Sequence, residues 1–195
     1  MSIIQKTFQF IFYNIMGWKA DITVDIPDKC VVCVAPHTSN WDLFVCKFFD
    51  WAHNLSVSYM MKKEWFFFPL GPIFKATGGI PVYRGKSTSL TEQMSKRFAE
   101  RTRFRLAITP EATRKANPYW KLGFYFIAQE AGVPVLPCIL DYGKKTIRCS
   151  MILYPSGDVD KDMETLNEYF KDSTAKKPAQ FVLYQKQNKH ITKKH

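Results

Sequence analysis

Apolar residues along the chain fall into short blocks whose spacing alternates between strand-like and helix-like. Val31 to Ala35 is an unbroken apolar run and predicts a buried strand, and Asn40 to Trp51 follows as a helix. Val57 to Met61 and Ile80 to Tyr83 predict two further short strands, the second introduced by the turn-forming pair Gly78 and Gly79. Ser89 with Glu92 three positions later fits a capping box, so a helix is expected from there to about Arg103. Phe104 to Thr109 reads as a strand and Lys121 to Ala131 as a helix, with Gly132 as its left-handed cap and Pro134 beyond it. Val135 to Asp141 and Thr146 to Leu153 predict two more strands, and Val159 to Phe170 a late helix.

Strands alternating with helices predict an α/β fold: a single domain with a mostly parallel central sheet flanked by helices. At the start of the chain Ile4, Phe8, Ile11, Phe12 and Ile15 recur at helical spacing, which adds an N-terminal amphipathic helix. Two placements stay open for it, against the core or in a membrane surface. Gln5, Lys6, Gln9 and Asn14 interrupt the segment, so it lacks the run of roughly 20 apolar residues that spans a bilayer. The expected division is residues 1–20 for this helix, 21–172 for the main domain and 173–195 for a basic tail.

A length of 195 residues suits one substantial core and is short for two. Lys and Arg number 28 against 17 Asp and Glu, a formal charge of +11, which favours anionic partners: phosphate esters, nucleic acid or an acidic membrane surface. Aromatic residues make up 15% of the chain, among them the exposed-looking cluster Trp65 to Leu70, a combination suited to a membrane interface or to stacked single-stranded bases. No glycine-aromatic motif of the common RNA-binding modules accompanies it. The five cysteines read as buried reduced thiols; Cys30 and Cys33 spell C-x-x-C, but no second pair or histidine cluster completes a zinc site, so no metal is expected.

Two predicted strands end abruptly at a proline followed by a polar residue: Pro36 and His37, Pro110 and Glu111. In parallel sheets ligands gather at the carboxyl ends of the strands. His37 and Asp42 are five positions apart and would diverge on one helix, but they can touch if His37 lies in the strand-to-helix turn and Asp42 in the first helical turn. A carboxylate on one ring nitrogen leaves the other free to accept a proton, which makes a general base. The plain alternative is a packed histidine beside an aspartate that favours the helix N-terminus.

Three further segments bear on that choice. PHTSNWD resembles the H-x4-D motif of the glycerolipid acyltransferases, the family that includes lysophosphatidate acyltransferase. Lys62 to Arg84 is similar to the family's second block, Thr109 to Arg114 (TPEATR) to its third, F-P-E-G-T-R, and Val133 to Cys138 (VPVLPC) to its fourth. The four segments stand in the family's order between Val31 and Tyr142. The chain departs from the pattern at Pro36, Thr109 and Ala112, where Ala112 adds a methyl to a position usually held by glycine.

The resemblance implies acyl transfer from an acyl-CoA or acyl-carrier-protein thioester to the hydroxyl of a lysophospholipid such as 1-acylglycerol-3-phosphate. His37 would be the base and Asp42 its orienting acid, with no metal and no cofactor beyond the thioester co-substrate. Arg84 and Arg114 would bind an acceptor phosphate. Gly79, Thr113 and Pro137 fall at the family's substrate-binding blocks. Glu111 would orient Arg114 or a loop amide, or bind the acceptor hydroxyl. Trp65 to Phe68, Phe74, Leu122, Phe126 and Ile127 are candidates to line an acyl tunnel. A peripheral or monotopic place on the cytoplasmic side of the cell membrane follows, with an anionic membrane surface as partner and no nucleic acid expected. Another lysolipid acceptor, such as a lyso-aminolipid, is the nearest alternative, and a basic nucleic-acid-binding protein without catalysis is the alternative from a different class.

Overall fold

The computed structural model describes residues 1–82 and 89–187. It is a three-layer α/β domain around a seven-stranded sheet, β1 (Lys19–Ile22), β2 (Lys29–Ala35), β3 (Val57–Lys62), β4 (Gly79–Val82), β5 (Phe104–Ile108), β6 (Val135–Asp141) and β7 (Thr146–Cys149). Spatial order is β1-β7-β6-β2-β5-β3-β4. Every pairing is parallel except β6 with β7.

The helices are α1 (Ile3–Phe10, continued by a π-helical turn over Ile11–Ile15), α2 (Trp41–His53), α3 (Leu70–Ala76), α4 (Leu90–Ala99), α5 (Gly123–Ala131) and α6 (Val159–Phe170). Local chemistry sets their ends. Ser89 Oγ accepts from Glu92 N at 3.1 Å to start α4, and Asp158 Oδ1 accepts from Lys161 N at 3.2 Å to start α6. Asn54 and Gly132 close α2 and α5 in the left-handed conformation.

Because successive strand residues face opposite sides, β2 feeds two cores. Val31, Cys33 and Ala35 pack with Phe124, Ile127 and Ala128 of α5 and with α4 and α6. Cys30, Val32 and Val34 pack with Val45, Phe49 and Ala52 of α2, with Phe12 and with Trp18. This separation of Cys30 from Cys33 rules out their acting as one chelating pair. All five cysteines are free thiols, and burial pushes those of Cys30 and Cys46 up to about 12.

The crossovers position the site. From β2 the chain passes over one face through α2 to β3; from the neighbouring β5 it passes over the other face through α5 to β6. Adjacent strands whose connections leave on opposite faces open a crevice at their carboxyl ends. That crevice lies between the loops after β2 and β5.

Some expected boundaries shift. The strand expected over Thr146 to Leu153 ends at Cys149, and Leu153 returns only as a single bridge to Val135. The helix expected to run to Arg103 ends at Ala99. Tyr83 and Arg84, the end of the expected fourth strand and a phosphate-binding candidate, lie outside the described residues.

Of the two placements open to the amphipathic N-terminal helix, the structure shows packing against the core along one side. Its inner side packs on α2, where Phe8 meets Phe48 and Trp51 at centroid distances of 5.8 and 4.7 Å and Gln9 Nε2 donates to Ala52 O at 3.1 Å. Its outer side leaves Ile3, Ile4 and Phe10 exposed. Among the described residues no helix is long and apolar enough to cross a membrane.

Candidate active site

Three neighbouring parallel strands, β6, β2 and β5, lead into the residues that build the site: Tyr142, His37 and Glu111. His37 lies in the turn after β2, and Asp42 is the second residue of α2. That turn brings the acid back onto the imidazole. Asp42 Oδ2 lies 3.1 Å from His37 Nδ1 and accepts from the backbone amides of Thr38 and Ser39 at 2.9 Å each. Its other oxygen, Oδ1, accepts from the Tyr142 hydroxyl at 2.7 Å.

Asp42 is 2% exposed, yet it is held ionised. Burial alone pushes its carboxyl up, but the hydrogen bonds from His37, Tyr142 and the Ser39 amide outweigh that and leave it below the usual carboxylate range. An ionised partner at Nδ1 requires the proton on that nitrogen. Nε2 is then the acceptor, on a side chain that is 24% exposed.

Glu111 locks the turn from the other side of the crevice. Its Oε1 accepts the His37 backbone N–H at 2.6 Å, so its partner is a loop amide rather than Arg114. The side chain is 1% exposed, and Oε2 has no hydrogen-bond partner among the described residues. Burial, with the Asp42 charge adding to it and the His37 amide opposing it, pushes Glu111 up to about 8. The shift favours the neutral acid, which avoids two buried anions side by side.

The residues after Glu111 turn outward. Ala112 sits at φ 55°, in the left-handed region that disfavours a Cβ. Thr113 is half-buried, its Oγ1 accepting from Lys115 N at 3.2 Å, and Arg114 is exposed with no ion pair among the described residues.

Gly79 and Pro137 sit in closely packed parts of the sheet. A Cβ on Gly79 would stand 2.7 Å from Phe74 O, so the residue lets β4 meet the end of α3. Pro137 is buried in β6 opposite Cys33, in the gap between the Val135–Leu153 bridge and the β7 pairing that begins at Ile139. A residue without an N–H is tolerated where one flank of the strand is unpaired. The tunnel candidates range from solvent to core: Phe68 is 87% exposed and Phe126 44%, whereas Ile127 is fully packed. A separate apolar cavity of about 70 Å³ lies under α2, lined by Val32, Val34, Leu43, Phe49 and Leu136 among others.

Two contributors were not read from the sequence. Tyr142 directly follows β6, but its bond to Asp42 joins residues a hundred positions apart. The segment after α6, expected as a basic tail, crosses the site: Lys177 N donates to Thr38 Oγ1 at 3.2 Å, and Lys176 Nζ stands 4.9 Å from the Trp41 ring centroid and 5.7 Å from that of Tyr142.

Residues 21–141 match the family model described as Acyltransferase, which spans well over half of the chain and contains the His37–Asp42 turn, Glu111 and all of β6. The chain belongs to the acyltransferase family. No curated protein sequence matches it. Among solved structures it is similar to the 1-acyl-sn-glycerophosphate (LPA) acyltransferase PlsC from Thermotoga maritima, with a TM-score of 0.57 and 15% identity over 86% of this chain and 76% of that one. At that identity the likeness shows a shared fold.

Proposed function

We propose that the protein transfers a fatty acyl group from an acyl-CoA or acyl-carrier-protein thioester to the hydroxyl of a lysophospholipid, such as 1-acylglycerol-3-phosphate. The observation that carries this reading is the His37–Asp42 pair at 3.1 Å, with Nε2 left as acceptor on a partly exposed side chain. The acceptor hydroxyl gives its proton to Nε2 as its oxygen attacks the thioester carbonyl carbon. Collapse of the tetrahedral adduct breaks the C–S bond, and the departing sulfur takes the proton back from the imidazolium. General-base help of this kind contributes about 10²–10⁴-fold in rate, and no covalent enzyme intermediate is needed.

Charge favours a phosphate-bearing acceptor. The chain carries +11, and Arg114 and Lys176 are cations on loops beside the catalytic turn. A lipid acceptor must be reached at a membrane surface, and the exposed side chains of Ile3, Ile4, Phe10, Trp65, Phe67 and Phe68 suit the interface of an anionic leaflet.

The test follows free-thiol release from acyl-CoA with a panel of lysolipids. Wild type is expected to release thiol only with an acceptor present, and His37→Ala to lose about 10²–10⁴-fold. Arg114→Ala is expected to raise KM for phosphate-bearing acceptors alone. Acceptor-dependent release that survives His37→Ala removes the base from the mechanism.

A further inference from the structure

We propose that Tyr142 is a positioning residue for the catalytic pair, fixing the plane of the Asp42 carboxylate so that Oδ2 stays on His37 Nδ1. The inference rests on the acyl-transfer reading of His37. Four donors meet the Asp42 carboxylate: His37 Nδ1 and the amides of Thr38 and Ser39 on Oδ2, and the Tyr142 hydroxyl on Oδ1. Three of them crowd one oxygen. Among the described residues Tyr142 is the donor to the other.

Without it, Oδ1 would be a buried oxygen with no partner, and the carboxylate would gain by turning about its Cβ–Cγ bond to share the Oδ2 donors. Such a turn moves the acceptor away from the imidazole. Tyr142 is itself well held. Its ring meets Trp18 edge-on at 5.0 Å, its amide donates to Thr174 O at 2.8 Å, and Lys176 caps it at 5.7 Å. Burial and the adjacent Asp42 push its phenol up, so the hydroxyl keeps its proton and donates throughout the working pH range.

The charged and titratable groups around Asp42 come from every neighbouring element: His37 from the turn after β2, Cys46 from α2, Glu111 from the loop after β5, Tyr142 from the end of β6 and Lys176 from the segment after α6. Glu111 titrates near the working range, so the pH profile is also taken in the Glu111→Gln background.

Tyr142→Phe keeps the ring and its contact with Trp18 and removes only the donor. Expected results are a kcat about tenfold lower, KM for donor and acceptor within about twofold, and an acid limb of kcat against pH moved to lower pH, because a carboxylate turned off Nδ1 no longer stabilises the protonated imidazole. In a His37→Ala background the same change is expected to cost nothing further. A readout independent of turnover is ¹⁵N NMR of the His37 imidazole in the protein alone, where the Nδ1–H tautomer is expected to lose population in Tyr142→Phe. Wild-type kcat, pH profile and ¹⁵N shifts in the variant overturn the proposal, as does an equal loss in the His37→Ala background. A lowered melting temperature with the other readouts unchanged assigns Tyr142 to stability alone and also overturns it. A wild type that acylates no lysolipid defeats the functional reading separately, since the NMR measurement needs no substrate.

Discussion

Replacing Glu111 by Gln tests the electrostatics of the crevice directly. Glu111 is 1% exposed, accepts the His37 amide on Oε1, and is pushed up from an ordinary 4.5 to about 8. A raised carboxyl means that the folded protein binds more protons than the unfolded chain. The resulting stability is fully present below the unfolded value, declines as pH rises, and is lost above about 8. Between about pH 6 and about pH 8 the unfolded glutamate is ionised while the folded one is not, so roughly two units at about 1.4 kcal/mol each give a loss on the order of 2–3 kcal/mol. Glutamine keeps a carbonyl for the His37 amide and cannot ionise. Any constant cost of its extra N–H cancels when the pH dependence of the two proteins is compared. Denaturant unfolding of wild type and Glu111→Gln across this range is expected to show the wild type losing about 2 kcal/mol more than the variant. Parallel stability curves would refute both the neutral state of Glu111 and its role as an uncharged brace for the His37 turn.

Two other predictions concern the loop after Glu111 and the N-terminal helix. Ala112→Gly relieves a left-handed alanine at φ 55°, and after glycine's own entropy cost it should raise stability by about 0.5–1 kcal/mol, read from the unfolding midpoint. A lowered midpoint would mean that the methyl makes contacts that matter. For the membrane, truncating the first 18 residues is a poor test, because Phe12 and Trp18 are 0% and 5% exposed and belong to the second core. Replacing the exposed Ile3, Ile4 and Phe10 by serine should instead cut co-sedimentation with anionic vesicles several-fold at unchanged melting temperature, and unchanged sedimentation would exclude this face as the contact.

What could be read in the sequence was what depends on local pattern. β2, α2 and β6 carry dense apolar periodicity, and the geometry of the His37–Asp42 pair was legible because the two residues share one turn. What escaped was set at long range or against propensity. Helix α3 contains Gly71 and Pro72, residues that ordinarily speak against a helix interior. Strand β1 is four residues of mixed polarity, recruited at a sheet edge by pairing with β7. The lysine count hid the apolar side chains of the segment after α6, yet Ala175 is buried, Phe181, Leu183 and Tyr184 pack on the first core, and Trp120 Nε1 donates to Val182 O at 3.0 Å. The Tyr142–Asp42 bond carries no local signature at all.

Two of the three donors on Asp42 Oδ2 are peptide amides, those of Thr38 and Ser39. Main-chain N–H groups do not change when a codon does, so this half of the acid's cradle survives any replacement at those two positions that preserves the path of the turn. The other half is made of side chains, His37 Nδ1 and the Tyr142 hydroxyl from beyond the neighbouring strand β6, and it is there that a single substitution can dismantle the arrangement.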